Sequence, residues 1–106
     1  LIYRLVYNLV ENAIKYNFSD GTVTVTATQQ NSQLHLTVED TGNGIPEELK
    51  ERIFEPFFRL DKSRSRELGG VGLGLALVRE IVRVHNGSIL VKNNANSGTT
   101  FEVIFP

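Results

Sequence analysis

Residues 22–44 read TVTVTATQQNSQLHLTVEDTGNG, and their periodicity settles the architecture. Over residues 22–28 threonine alternates with Val23, Val25 and Ala27, the period of two that gives a strand one apolar face and one polar face. Leu34, Leu36 and Val38 repeat the pattern after Gln29-Gln30-Asn31-Ser32, so the two runs predict a β-hairpin. The same period carries Asp40 onto the face of Leu34, Leu36 and Val38, which sets a carboxylate at the end of a core-facing row. A buried acid must find donors or take up a proton. Thr41-Gly42-Asn43-Gly44 follows, and its glycines permit a tight turn and a close approach of backbone to a flat ligand.

Upstream, residues 1–16 place Leu5, Leu9 and Ala13, and also Val6, Val10 and Ile14, at helical spacings. This predicts a helix that ends in the turn formers Asn17-Phe18-Ser19-Asp20-Gly21. No capping residue precedes it, which implies a natural domain that begins further upstream. Downstream, Pro46 suits the first turn of a short helix over residues 47–54. Residues 56–71 have no usable period and read as a long loop. Residues 73–85 predict a second helix with Leu77, Ile81 and Val84 on its apolar face and Arg79, Glu80 and Arg83 outward. Asn86-Gly87 stops it, and residues 88–92 and Thr99–Phe105 are the last strands. The order helix, hairpin, short helix, loop, helix, hairpin predicts an α+β, two-layer α/β sandwich, with helices on one face of a mixed, largely antiparallel sheet. A doubly wound fold needs a strict strand–helix alternation that is absent.

At 106 residues the chain forms a single domain. Eleven Lys and Arg against twelve Asp and Glu give a net charge of −1, which argues against a general nucleic-acid binder or polybasic membrane binder. An apolar share of 41% excludes a disordered tail. No apolar run approaches the ~20 residues of a spanning helix, and no signal peptide is visible. The absence of cysteine removes disulfides, thiolate metal sites and cysteine nucleophiles, and two histidines, His35 and His85, do not make a zinc site. With no Met, a chain that opens on Leu1 reads as a processed or trimmed piece.

Three further constellations carry chemistry. Asn8, Asn12 and Lys15 form one polar stripe on the first helix, with Glu11 beside it. The stripe is either a solvated face or a phosphate site, in which an amide oxygen serves Mg²⁺ and the lysine serves phosphates. Asp40 either closes its strand in an Asx-turn or accepts from an exocyclic amino group such as that of adenine. Gly69-Gly70-Val71-Gly72-Leu73-Gly74-Leu75 opens the second helix, where exposed N–H groups attract phosphates. It is neither a Rossmann fingerprint, which follows a strand, nor a Walker loop, which ends in Gly-Lys-Ser or Gly-Lys-Thr. Before it, Arg59, Lys62, Arg64 and Arg66 outnumber Asp61 and Glu67, as in a lid whose arginines reach a polyphosphate.

In order, these pieces resemble the catalytic ATP-binding domain of bacterial sensor histidine kinases, in the superfamily shared with gyrase and heat-shock chaperone ATPases (the Bergerat fold). Residues 8–16, NLVENAIKY, look like the N box, and residues 40–45, DTGNGI, like the first glycine box. Residues 54–59, FEPFFR, are similar to the F box, residues 70–75, GVGLGL, to the second glycine box, and Gly98-Thr99-Thr100-Phe101 to the closing Gly-Thr motif. The resemblance covers nearly all of residues 1–106, without the strand and helix that precede the N box in the family. Such a gap would leave an exposed sheet edge or an apolar groove.

The resemblance implies roles. Asn12 would ligate Mg²⁺, with Asn8 and Lys15 near the phosphates of ATP. Tyr16 would pack along the adenine, and Asp40 would accept from its amino group, helped by Thr100 and a water. Gly42, Gly44 and Ile45 would shape the adenine pocket, while Arg59 and the lid residues Gly70, Gly72, Leu73, Gly74 and Leu75 would hold the triphosphate. For Tyr16, Phe54, Phe57 and Ile45 core packing is the other reading. Asn8 stands where the superfamily's hydrolases carry the Glu that activates water; an amide accepts no proton at neutral pH, which favours phosphoryl transfer. Glu11 is a candidate base that would polarise the acceptor histidine. That acceptor would lie on a separate dimerising helical domain, since neither His35 nor His85 has its His-Glu or His-Asp context. The implied partners are that domain and, through the parent kinase, a response regulator. The implied location is cytoplasmic, beneath a membrane-bound parent. A non-catalytic module of the same fold and a serine-kinase anti-sigma relative are the alternatives.

Overall fold

The computed structural model describes residues 1–56, 58, 74–94 and 97–106. Helix α1 (Ile2–Lys15) is followed by β1 (Val23–Gln30) and β2 (Gln33–Asp40), then by two 3-10 turns, Glu47–Leu49 and Arg52–Phe54. Helix α2 (Gly74–Val84), β3 (Ser88–Asn93) and β4 (Thr99–Phe105) complete the described chain. The sheet order is β1-β2-β4-β3. All three pairings are antiparallel, the antiparallel end of the expected range. β4 is central because its alternate residues Thr99, Phe101, Val103 and Phe105 are buried under the helices, while its partners pair along both edges.

The expected hairpin is present, with Gln30 opposite Gln33 and both Asn31 and Ser32 at positive φ (52° and 67°), the geometry of a two-residue turn. Leu36 and Val38 enter the core as predicted, but their neighbours on β1 do not: Val25, opposite Val38, is 46% exposed. β1 is an edge strand, and of its apolar row only Val23 packs against the core, while Leu34 of β2, expected on the core-facing row, is 36% exposed near the hairpin end.

α1 buries Leu5, Leu9 and Ala13 against α2 and β2, while Ile14 faces outward. α2 differs from expectation in its rotation. Val78, Ile81 and Val82 are buried, whereas Leu77 and Val84 are exposed. Both sets fit a helical period and share Ile81; contact with α1, which the sequence of α2 alone does not contain, selects between them. Asn86 takes the left-handed conformation at φ 57°, and Gly87 N–H donates to Val82 O at 2.9 Å.

The single short helix expected over residues 47–54 is instead two 3-10 turns. A segment this short gains little from helix propagation, and the second turn rotates Ile53 and Phe54 into the core. There the Phe54 ring stands edge-on to Phe101, with centroids 6.2 Å apart, so Phe54 is a packing residue. Among the described residues no helix is long and apolar enough to cross a membrane.

Candidate functional site

Strand register brings three polar side chains together at one end of the sheet. Asn93 lies opposite Thr99 in the β3–β4 ladder, and one step beyond the Glu39–Thr100 pair sets Asp40 beside Thr99. By alternation all three belong to the helix-covered face, at its rim. Asp40 is 6% exposed. Its Oδ1 accepts from Gly42 N–H at 2.9 Å and from Thr99 N–H at 3.2 Å, and neither bond uses Oδ2. Burial pushes the Asp40 carboxyl above its ordinary value, and these two backbone donors pull it partly back. The carboxylate is therefore held by the fold yet costly to keep charged, a state suited to a ligand that brings a further donor.

Gly42 is required by space: a Cβ there would stand 2.3 Å from the Tyr16 carbonyl oxygen and 3.2 Å from Asp40 Oδ1. The loop after β2 thus lies directly on the end of α1. Asn17, buried, fastens the same junction. Its Oδ1 accepts from Phe18 N–H at 2.8 Å and Thr41 Oγ1 at 3.1 Å, and its Nδ2 donates to Thr22 O at 2.8 Å. Thr41 Oγ1 in turn accepts from Thr22 N–H at 2.9 Å. Ile45 is buried, with Asn93 donating to its carbonyl and accepting from its N–H, each at 2.9 Å. Gly44, at φ 81°, precedes it, and Ser97 Oγ donates to Gly42 O.

On α1, Asn8, Asn12, Lys15 and Tyr16 are half-buried. The side-chain Nδ2 of Asn8 is buried and has no hydrogen-bond partner among the described residues. Asn8 faces the start of α2, since a Cβ on Gly74 would lie 3.4 Å from Asn8 Oδ1. Lys15 Nζ is 3.6 Å from Glu11 Oε1. Glu11 also accepts from the exposed Tyr7 hydroxyl, a bond that raises the Tyr7 phenol above its ordinary value. Leu75 is half-buried and packs against the core. Phe57, Arg59, Gly70, Gly72 and Leu73 lie outside the described residues. Among the described residues no three His, Asp or Glu side chains gather as a metal cluster.

One expected site residue is displaced by a single position. Thr100 points to the opposite face from Asp40, where its Oγ1 donates to Asn94 Oδ1, while Asn94 Nδ2 donates to Asp40 O at 3.0 Å. Thr99 occupies the place beside Asp40. Alternation signalled this: Phe101 faces the core, so Thr99 shares its face and Thr100 does not. Asn17, Asn93 and Asn94 were not singled out by motif reading, because they sit in segments read only as turn or connector, and Thr99 lay within the closing Gly-Thr motif without a role of its own.

The whole chain, residues 1–106, matches the family described as histidine kinase-, DNA gyrase B-, and HSP90-like ATPase. The signal transduction histidine-protein kinase ArlS of Staphylococcus aureus is 45% identical over 96 residues, which are 91% of this chain and 21% of that protein. The chain thus spans about a fifth of the curated relatives it matches. Among solved structures, the mycobacterial sensor histidine kinase MprB aligns with a TM-score of 0.83 at 33% identity, over 97% of this chain and 68% of that one. The nucleotide-free catalytic domain of the histidine kinase ThkA aligns with a TM-score of 0.84 at 36% identity, over 99% of this chain and 65% of that one. ThkA in complex with the response regulator TrrA aligns with a TM-score of 0.79 at 34% identity, over 99% of this chain and 28% of that one. By a match along its entire length, the chain belongs to the histidine kinase-, DNA gyrase B- and HSP90-like ATPase family.

Proposed function

We propose that residues 1–106 form the ATP-binding catalytic unit of a two-component sensor histidine kinase. It holds Mg²⁺-ATP and presents the γ-phosphoryl to a histidine on a separate dimerisation domain, for relay to an aspartate of a response regulator. The observation that carries this reading is Asp40: a buried carboxylate, fixed through one oxygen by two backbone donors, at the mouth of a glycine turn. Such a group reads an amino-bearing base such as adenine.

The phosphate end follows from α1. Asn8 Nδ2, buried beside the first residue of α2 and without a hydrogen-bond partner among the described residues, is a donor suited to a phosphate oxygen, and a helix start favours anions. Lys15 serves as a point charge for phosphate. Asn12 offers an amide oxygen to the metal, which when bound neutralises phosphate charge. Arg59 and the lid residues Gly70, Gly72 and Leu73 take the triphosphate in the same reading, with Gly74 and Leu75 opening α2. Asn8 accepts no proton at neutral pH, so transfer to a protein acceptor is favoured over hydrolysis. Glu11, engaged by Tyr7 and Lys15, remains the candidate base.

Neither histidine of this chain suits the acceptor role. His85 Nδ1 lies 2.8 Å from Ile81 O, with its ring edge-on to Phe105, and His35 sits within β2. The partners are therefore the parent's helical domain and a response regulator, a pairing supported by the likeness to ThkA in its complex with TrrA. In this reading the unit lies in the cytoplasm, beneath a membrane-bound parent. Calorimetric titration with ATP and Mg²⁺ tests the reading, with Asp40→Ala and Asn12→Ala as controls. Heat for the parent chain that is lost in both variants supports it. Absence of heat in the parent chain favours a non-catalytic module, and phosphate found on a partner's serine favours the anti-sigma relative.

A further inference from the structure

We infer that Asn93 is the positioning residue for the base-reading loop, a role that rests on the ATP-binding reading above. Ile45 lies in no helix or strand, yet both of its backbone groups are satisfied by this one side chain. Ile45 N–H donates to Asn93 Oδ1 and Asn93 Nδ2 donates to Ile45 O, each at 2.9 Å across 48 positions of sequence. A backbone N–H only donates and a carbonyl only accepts, so the carboxamide has a single orientation. Asn93 thereby acts as one more rung of strand pairing for a loop residue that is itself buried.

The loop is shaped to receive it. A Cβ on Gly44 would stand 2.9 Å from Asn93 Oδ1, and Gly44 at φ 81° turns the chain so that Ile45 presents both groups to the amide. The anchor belongs to the sheet, because Asn93 is the last residue of β3 and pairs with Thr99, whose N–H holds Asp40 Oδ1. One register therefore fixes both the acid that reads the base and the amide that holds the opposite end of residues 40–45. Other side chains fail in identifiable ways. Aspartate sets an oxygen against the Ile45 carbonyl, glutamine displaces the amide by a methylene, and serine serves one group where two are needed.

The phosphate end is built from Asn8, Lys15 and the start of α2, which Asn93 does not touch, so its removal separates base from phosphate. The test uses the full chain with Asn93→Ala and Asn93→Asp, titrated with Mg²⁺-ATP, adenosine and inorganic tripolyphosphate. We expect ATP and adenosine affinities to fall together by about ten- to a hundredfold, the cost of a misplaced site, and the melting temperature to fall as the two buried Ile45 backbone groups lose their partner, with tripolyphosphate binding little changed. Hydrogen exchange at the Ile45 amide should be slow in the parent chain and fast in Asn93→Ala, whereas Asn93→Asp keeps an oxygen for this N–H and loses only the bond to the Ile45 carbonyl. Unchanged ATP affinity, or losses that extend equally to tripolyphosphate, would overturn the inference, as would unchanged exchange at Ile45 in Asn93→Ala. A parent chain that binds neither ATP nor adenosine overturns the functional reading instead, and Ile45 exchange then still decides whether Asn93 clamps the loop.

Discussion

Thr99 donates its backbone N–H to Asp40 Oδ1 at 3.2 Å, joining the end of β2 to the start of β4 on the helix-covered face. With the Gly42 N–H at 2.9 Å, this leaves Asp40 ordered by backbone alone, with no cation bonded to it among the described residues. Such an acid is fixed in direction while burial still penalises its charge. A ligand that donates to it relieves part of that penalty, so selectivity and affinity come from one group.

Asp40→Asn separates the two effects. The amide oxygen still accepts from Gly42 and Thr99, but an NH₂ group replaces the second acceptor and meets a donor with a donor. A hydrogen bond to a charged group is worth about 1.5–3 kcal/mol, so ATP affinity should fall about ten- to a hundredfold. The melting temperature at neutral pH should hold or rise, since the cost of a buried charge is gone. Calorimetric titration and thermal unfolding of the same sample check both.

The raised Asp40 value also fixes the sign of two pH dependences. Between the ordinary carboxyl value and the raised folded value, the folded state holds more of this proton than the unfolded state. The Asp40 contribution to stability therefore increases as pH falls through that window and is lost as pH rises through it. ATP affinity runs the other way, because protonation removes the acceptor. Titrations from neutral to mildly acidic pH should show binding weaken above the ordinary carboxyl range, and Asp40→Asn should flatten that dependence.

Legibility in the sequence followed the range of the physics. Periods of two and 3.6 are local, so the hairpin, β4 and α1 could be read from Leu34, Leu36, Val38, Leu5 and Leu9. The rotation of α2 was not local: Leu77 and Val78 are both apolar, and the surface of α1 selects Val78. In the site, Asp40 and Gly42 stood out because an acid ends an apolar row and glycines follow it. Asn17 and Asn93 did not stand out, because asparagine is ordinary in turns and their partners lie across the fold.

Thr99 and Thr100 differ in outcome although they are adjacent and identical. Thr99→Val keeps the backbone N–H that holds Asp40 but removes the hydroxyl on the face the two residues share, and should weaken ATP binding. Thr100→Val removes only the hydroxyl bonded to Asn94 on the far face, and should cost about 1 kcal/mol of stability with ATP affinity little changed. Parallel titration and chemical denaturation check the pair; an effect on binding from Thr100 alone would restore it to the site.

Two Asn-Gly pairs, Asn43-Gly44 and Asn86-Gly87, should differ in chemical lifetime. Deamidation begins when the glycine nitrogen gives up its proton and attacks the asparagine Cγ; ammonia leaves, and water opens the succinimide to aspartate or isoaspartate. Gly87 N–H is engaged with Val82 O at 2.9 Å, which hinders that step. Asn43 is exposed, and Gly44 N–H makes no hydrogen bond among the described residues. Incubation at mildly alkaline pH followed by peptide mass spectrometry should find the gain of a single mass unit at Asn43 well before Asn86. Isoaspartate at 43 would lengthen the backbone one residue before the Gly44 turn and draw Ile45 off Asn93. The aged fraction should therefore lose ATP affinity in step with the modified peptide, and Asn43→Ser should keep it; equal rates at the two asparagines would contradict the protection assigned to Gly87.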